Sequence, residues 1–207
     1  MTLRDVSAPD AKASREDVIA ALAGGPVRFV EWSLAQADLT RLDFHCCIFE
    51  RCRGAGANFS FSDLAETRFL ACDFNNARFA GASLSAARFS DCKLTGVQLD
   101  GARALGVAFE RCLLVSANLR GLSFRREKLD GVDFQGADLA GVDFREAVLQ
   151  GCSLREANVT GARFEAADLR GADLGALRMA DASKFRGAII SKQQAAALLA
   201  GLGLKVV

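Results

Sequence analysis

Tyrosine is absent from this 207-residue chain, histidine and tryptophan occur once each, and there are only two prolines and two methionines. So small a set of titratable rings leaves little for acid–base catalysis, and no enzyme activity is expected. An excess of charge of either sign is also lacking: 26 Lys and Arg face 25 Asp and Glu, for a formal charge of +1. The total therefore points neither to a strongly basic nucleic-acid binder nor to an acidic tail, and direct nucleic-acid binding is not expected. No apolar run approaches the roughly 18 residues of a membrane span, and Arg4, Asp5 and Asp10 interrupt the N-terminal stretch where a signal peptide would be apolar. The expectation is a cytoplasmic protein with no membrane contact. No phosphate-binding glycine loop or nucleophile elbow occurs in a strand–helix context, so no cofactor is expected.

Phenylalanine, at 15 residues, and glycine, at 19, are abundant, and both are periodic. From Phe29 to Met179 every fifth residue is a large apolar one, with Gly54 and Ala104 the two exceptions, and thirteen of the fifteen Phe lie in this register. Two residues upstream a small residue recurs (Ala37, Ala57, Ala77 and Ala137 among them), with Asp or Asn often between, so the unit reads A-(D/N)-(L/F)-x-x. Twelve glycines fall two residues after the large slot, where they read as corners. A period of five fits no helix, because five steps of about 100° carry a side chain about 140° off its stripe, and no strand, because five steps reverse the face. The chain must turn once per repeat. Short extended pieces joined by corners make a narrow solenoid whose coils stack at about 4.8 Å.

Six of the seven cysteines take the small inward slot, and Cys52, Cys72, Cys92, Cys112 and Cys152 are separated by multiples of twenty. Stacking like on like therefore requires four repeats per coil, giving a little under eight coils and a rod of roughly 37 Å. These thiols are read as core fillers rather than disulfides. His45-Cys46-Cys47 is the one His/Cys cluster, and it is also read as structural: neighbours in an extended piece point in opposite directions, and no second pair supplies further ligands. Glu127 occupies an inward slot and predicts a local distortion. Gly54 and Ala104 underfill theirs, with Leu105 positioned to swing in beside Ala104.

These residues carry a resemblance: the segment from Phe29 to about Phe185 resembles the pentapeptide-repeat proteins. That resemblance implies an all-β fold, a right-handed quadrilateral β-helix (pentapeptide-repeat solenoid) with short N- and C-terminal capping helices. Within the family the chain is similar to the quinolone-resistance proteins of the Qnr and MfpA type in the stretches Ala104-Leu105-Gly106, Phe109-Glu110-Arg111-Cys112 and Asn118-Leu119-Arg120-Gly121. The ending from Ile189 to Leu204 is alike as well. This similarity implies a non-catalytic rod that resembles duplex DNA, binds a type II topoisomerase (DNA gyrase or topoisomerase IV), modulates quinolone sensitivity, and forms a homodimer through a C-terminal helix. The competing expectation is a rigid protein-interaction scaffold with no topoisomerase contact. A continuous acidic face would favour mimicry and a mixed one the scaffold.

Three parts are expected: 1–25 with a helix capped by Ser14, 26–187 as the β-helix, and 188–207 as a helix capped by Ser191 with a tail. Trp32 falls in a small slot of the first coil, against the N-terminal helix. Of the whole repeat only 127–146 is acidic, so Asp133, Asp138, Asp143 and Glu146 are the candidate partner-binding residues. Leu198, Leu199, Leu202 and Leu204 exceed what one coil end covers and are the candidate dimer interface.

Overall fold

A computed structural model describes residues 3–175, 183–201, 203 and 204. The chain is a right-handed quadrilateral β-helix. One of its four faces is a parallel eight-stranded sheet, β1 (Arg4–Val6), β2 (Val27–Val30), β3 (Ile48–Glu50), β4 (Arg68–Leu70), β5 (Arg88–Ser90), β6 (Ala108–Glu110), β7 (Lys128–Asp130) and β8 (Val148–Gln150), paired in sequence order. From β2 on, each partner lies twenty residues further along, as in Arg28↔Ile48 and Phe49↔Phe69. The other three faces are single-residue bridges at the same spacing, among them Ser33↔Arg53, Asp38↔Asn58 and Asp43↔Asp63. The four repeats per coil inferred from the cysteines are thus the coil of the fold.

The large slots fill the bore. Phe29, Phe49, Phe69, Phe89 and Phe109 stack as one column on the sheet face, with successive centroids 4.8, 5.0, 4.4 and 5.0 Å apart. The small slots complete it. Polar members of that lattice bond to the preceding coil: Cys52, Cys72, Cys92 and Cys112 each direct Sγ at the carbonyl of the large-slot residue 23 positions earlier, at 3.3–3.4 Å, and Ser62 and Thr67 do the same with their hydroxyls. Thiols, Ser and Thr fit there because their volume is small and their one donor finds a partner.

Corners are made by backbone conformation. Between positions 31 and 166 every residue two places after a large slot has positive φ, seventeen of them non-glycine and eleven glycine. The left-handed region costs a non-glycine residue about 1–2 kcal/mol. Most such corners are held by a coil-to-coil bond, as Gln36 N–H to Ala55 O (2.9 Å) and Cys46 N–H to Ala65 O (3.0 Å). The Asp or Asn before the large slot secures the same corner from the side: its Oδ1 accepts the N–H two residues on at Asp38, Asp43, Asn58, Asp63, Asp73, Asp133, Asp138, Asp143 and Asp168. The A-(D/N)-(L/F) motif is a wall, a clasp and a filler.

Gly54 leaves no void. A Cβ built there would lie 2.0 Å from the Phe74 ring of the next coil, which has taken the space, and the ladder bond Gly54 N–H to Asp73 O is intact at 2.7 Å. At Ala104 the structure corrects the expectation, because Leu105 turns out to solvent and is 81% exposed. The ladder opens here instead. Among the described residues the bonds from the N–H groups of Gly101, Ala104, Gly106, Ser123 and Lys128 to the facing coil are missing, whereas the coils on either side make all the equivalents. Only Glu110↔Asp130 pairs β6 with β7. Ala104 and the half-buried Glu127 flank this seam, which is the distortion that an acidic residue in an inward slot predicts.

At the N-terminal end, α1 (Arg15–Leu22) begins with a reciprocal capping box between Ser14 and Asp17 and lays Val18 and Ala21 over the first coil. Trp32 is buried edge-on against Phe29, centroids 4.9 Å apart, and its Nε1 donates to Val6 O at 3.0 Å. The segment before α1 contributes more than a cap, since β1 extends the sheet by one strand. At the other end the spacing lengthens to twenty-one, with Asp168↔Ile189 and Phe164 against Phe185 at 4.8 Å. There Ser191 and Gln194 cap α2 (Lys192–Gly201) reciprocally, and Gln194 Nε2 donates to the carbonyls of Leu169 and Ala172.

Candidate functional site: the outer surface of the rod

A tube filled by side chains has no interior site. The grooves among the described residues lie on the outside, one lined by Ile19, Leu22, Pro26, Leu42 and His45, another by Arg4, Arg28, Cys46, Glu66 and Arg68. Function must therefore be sought on the faces and ends.

The four candidate acidic residues do not form one surface. Asp133, Asp138 and Asp143 stand on three successive faces, as the four-repeat coil requires, and each spends Oδ1 on its own corner, accepting from the N–H of Gln135, Ala140 and Arg145 at 2.9–3.1 Å. Their remaining charge is mostly answered. Asp143 is only 6% exposed and lies between Arg145 (2.7 Å) and Arg163 (2.9 Å). The Arg145 guanidinium holds its carboxyl down at about 2. Asp138 takes Arg120 at 2.7 Å and Asn158 at 3.0 Å; desolvation, the largest single influence, raises its carboxyl, but the Arg120, Ala140 and Asn158 interactions together outweigh it and leave the group lowered. Glu146 is clasped by Arg126 and Arg125, both at 2.8 Å, which bring it down to about 2. Asp133 alone of the four has no ion pair among the described residues.

The same pairing covers the other faces. Arg51 reaches Glu31 one coil below (2.9 Å) and also contacts Glu50, which meets Arg28; Arg111 repeats this with Asp91 (2.6 Å) and Glu110. Arg170 folds onto Asp168 at 2.6 Å. Residues twenty apart stack, so Arg51 and Arg111 each find an acid at the corner below, whereas on the sheet face Arg68 stacks on Arg88 and neither has an ion pair among the described residues. The result is a mosaic in which neither sign makes a continuous line. Apolar side chains break it at Phe61, 64% exposed with Arg41 over its ring at 5.9 Å, and at Leu105.

Of the candidate dimer residues, Leu198 is half-buried on α2, Leu199 and Leu204 are exposed, and Leu202 lies outside the described residues.

At the corner between the fourth face and the sheet face, His45 and Cys46 lie together on the outside. Cys46 has φ +59°, so the chain is turning rather than extended there, and its thiol stays outside with the His45 ring while Cys47 points into the bore. Cys46 Sγ lies 3.2 Å from His45 Nε2 and 3.9 Å from Glu66 Oε2. Sequence reasoning passed over Glu66, although its offset of twenty from Cys46 was available as a signal. Burial and then the Glu66 carboxylate raise the Cys46 thiol, and burial pushes Cys47 up to about 11.

Comparison with known proteins agrees with this geometry. Residues 42–119 match the family profile described as a pentapeptide repeat region, and 128–165 and 149–187 match the one described as pentapeptide repeats (8 copies). A search of curated proteins gives no match. Among solved structures, the full-length QnrB1, a plasmid-mediated fluoroquinolone resistance protein, is 21% identical with a TM-score of 0.75 over 98% of this chain and 99% of that one. HetL, a pentapeptide repeat protein involved in heterocyst differentiation regulation from the cyanobacterium Nostoc sp. strain PCC 7120, is 21% identical with a TM-score of 0.51, covering 86% and 92%. At these identities the likeness is one of fold. With five-residue slots, left-handed corners and a twenty-residue coil all in register with the matched segments, this chain belongs to the pentapeptide-repeat family.

Proposed function

We propose that this protein is a non-catalytic, rigid rod that works by binding another protein along its outer faces. One observation carries the reading: the bore is filled from Phe29 to Phe164 by inward side chains, nearly all of them buried, while the outside is a mosaic of charges, many of them paired, interrupted by Phe61 and Leu105. A filled tube offers no cleft for a substrate. Its stacked ladders preserve shape under load, and partly neutralised charges with apolar breaks suit a protein surface better than a nucleic acid.

The finer reading is that the partner is DNA gyrase or topoisomerase IV and that binding modulates quinolone action. Its support is the similarity in fold to QnrB1 along nearly the whole of both chains. The mosaic argues that such contact uses shape and apolar anchors rather than a phosphate-like row of carboxylates. A gyrase supercoiling assay with the purified protein, with and without a quinolone, tests it. Protection from the drug, or inhibition of supercoiling, at protein concentrations near that of the enzyme supports the topoisomerase reading. No effect in either arm, and no co-elution with gyrase at low salt, leaves the scaffold with a different protein partner.

A further inference from the structure

The geometry points to a divalent-cation site at the corner between the fourth face and the sheet face, built from His45 Nε2, Cys46 Sγ and Glu66 Oε2. We infer that it takes a borderline-soft ion such as Zn²⁺. Three different donor types, all within 4.8 Å of one another, form the one such group among the described residues. At Zn–S and Zn–N bond lengths of about 2.3 and 2.0 Å, a tetrahedral ion sets its ligands about 3.5 Å apart. The observed 3.2 Å from Nε2 to Sγ and 3.9 Å from Sγ to Oε2 bracket that value, so small rotations about the side chains bring all three onto one ion.

The backbone beneath is fixed. Cys46 N–H donates to Ala65 O at 3.0 Å and Glu66 N–H to Ser85 O at 2.9 Å, so two left-handed corners stack in register and present their side chains outward together. Coil stacking makes Cys46 and Glu66 neighbours whatever else happens, and His45 comes with Cys46. Ala65 and Ser85, which stand above His45, are small and leave the ring uncovered. One outer groove is lined by His45 and Asp43 and another by Cys46 and Glu66, and the His45 ring is exposed, so the remaining coordination position faces solvent. Around the thiol the charges oppose each other: Asp43 and Glu66 are negative and Arg68 positive, and an arriving ion displaces the thiol proton. N, S and O donors together favour Zn²⁺ or Co²⁺ over Mg²⁺ or Ca²⁺, which want oxygen alone. An ion held here ties two successive coils together beside the N-terminal cap.

The test uses the full-length protein, free of any affinity tag, titrated with Zn²⁺ by calorimetry and with Co²⁺ by absorption spectroscopy at neutral pH. One ion per chain is expected, with a near-ultraviolet thiolate-to-cobalt band. Cys46→Ser should lose that band, and His45→Ala and Glu66→Gln should each weaken binding by at least about tenfold. All three positions lie outside the core, so circular dichroism of the variants should match the parent, and Asp133→Asn should bind as the parent does. Absence of binding by the parent, or a Cys46→Ser protein with the same cobalt spectrum and affinity, overturns the site. A variant that fails to fold is replaced by competition in the parent: blocking Cys46 with a thiol reagent must abolish the band for the proposal to stand.

Discussion

The Asp143 carboxylate is sealed under the Arg163 guanidinium of the following coil, Oδ2 to Nη2 2.9 Å, and this pairing removes one charge from the acidic stretch 127–146. Its other partner, Arg145, sits two residues along the same corner. A negative charge read from composition alone is therefore structural here, holding a turn and bridging two coils.

Asp143→Lys is accordingly expected to damage the fold as well as any interaction, because it removes the corner acceptor and buries a third cation beside Arg145 and Arg163. Asp143 is buried but its Arg partners are partly exposed, so losing the carboxylate and its hydrogen bonds costs about 3 kcal/mol. Asp143→Asn keeps an oxygen for the Arg145 N–H and should cost less, about 2 kcal/mol. Thermal melts followed by circular dichroism give the order parent, Asp143→Asn, Asp143→Lys in falling stability; equal melting temperatures would show the pairing to be idle.

Acid should release the same interactions. Asp143, Glu146 and Asp168 have folded-state values of about 2, below the ordinary carboxylate range, because of hydrogen bonds from Arg145, Arg126 and Arg170 respectively. A lowered folded value means that the stabilisation is complete above the unfolded value near 4 and is lost as pH falls towards 2. Stability measured by denaturant should be flat from pH 7 to about pH 5 and then decline. The decline should be shallower in Asp143→Asn. A parent protein as stable near pH 2 as at pH 7 contradicts the ion-pair account.

Gly54→Ala offers a steric test without backbone strain. Glycine there has no left-handed conformation to protect, yet an added Cβ meets the Phe74 ring at 2.0 Å. Overpacking of this kind costs about 1–3 kcal/mol. Gly121→Ala is the complement: open space around the Cβ, but φ +70°. It should cost about 1–2 kcal/mol through the corner conformation alone. Combining Gly54→Ala with Phe74→Leu should recover part of the first loss and none of the second.

Thiol chemistry separates the outer cysteine from the inner ones. All seven are free, six are buried, and Cys46 is half-buried at a corner. Burial also pushes the Cys152 thiol up to about 11, away from the reactive thiolate. A thiol reagent should modify one cysteine per native chain and seven after unfolding, with Zn²⁺ slowing the first. Rapid native labelling of several cysteines contradicts the filled bore.

Most of the architecture was legible because a solenoid is written in one dimension. The period of five located the slots, and the cysteines at multiples of twenty located the coil. What sequence periodicity does not show is what happens outside the slots. The strand Arg4–Val6 carries no repeat pattern and pairs only because Val27–Val30 presents an open sheet edge. Leu105 is apolar but follows the large slot, a position whose side chain faces water, so its chemistry was outvoted by its place in the corner. Glu66 joined His45 and Cys46 through the same twenty-residue offset that the cysteine ladder revealed. The charge mosaic follows from that offset too, since Arg51 lies over Glu31 and Arg111 over Asp91.

The opened ladder beside Ala104 should be the weakest point of the rod. Five N–H groups there, of Gly101, Ala104, Gly106, Ser123 and Lys128, lack the acceptors that their counterparts use one coil away, such as Arg103 N–H to Ala82 O at 2.9 Å and Val148 N–H to Glu127 O at 3.0 Å. Amide hydrogen exchange follows the availability of such bonds and the cost of opening them. Exchange at these five amides should therefore outpace that at Gly81, Ser83, Ala86, Asp143 and Val148, while the global unfolding transition stays single. Filling the seam should slow it: Glu127→Ala restores a small apolar residue to the inward slot, and the Ser123 and Lys128 amides should become more protected than in the parent. Uniform protection across coils in the parent, or no change in Glu127→Ala, would show that the gap is closed in solution and that Glu127 is accommodated without cost.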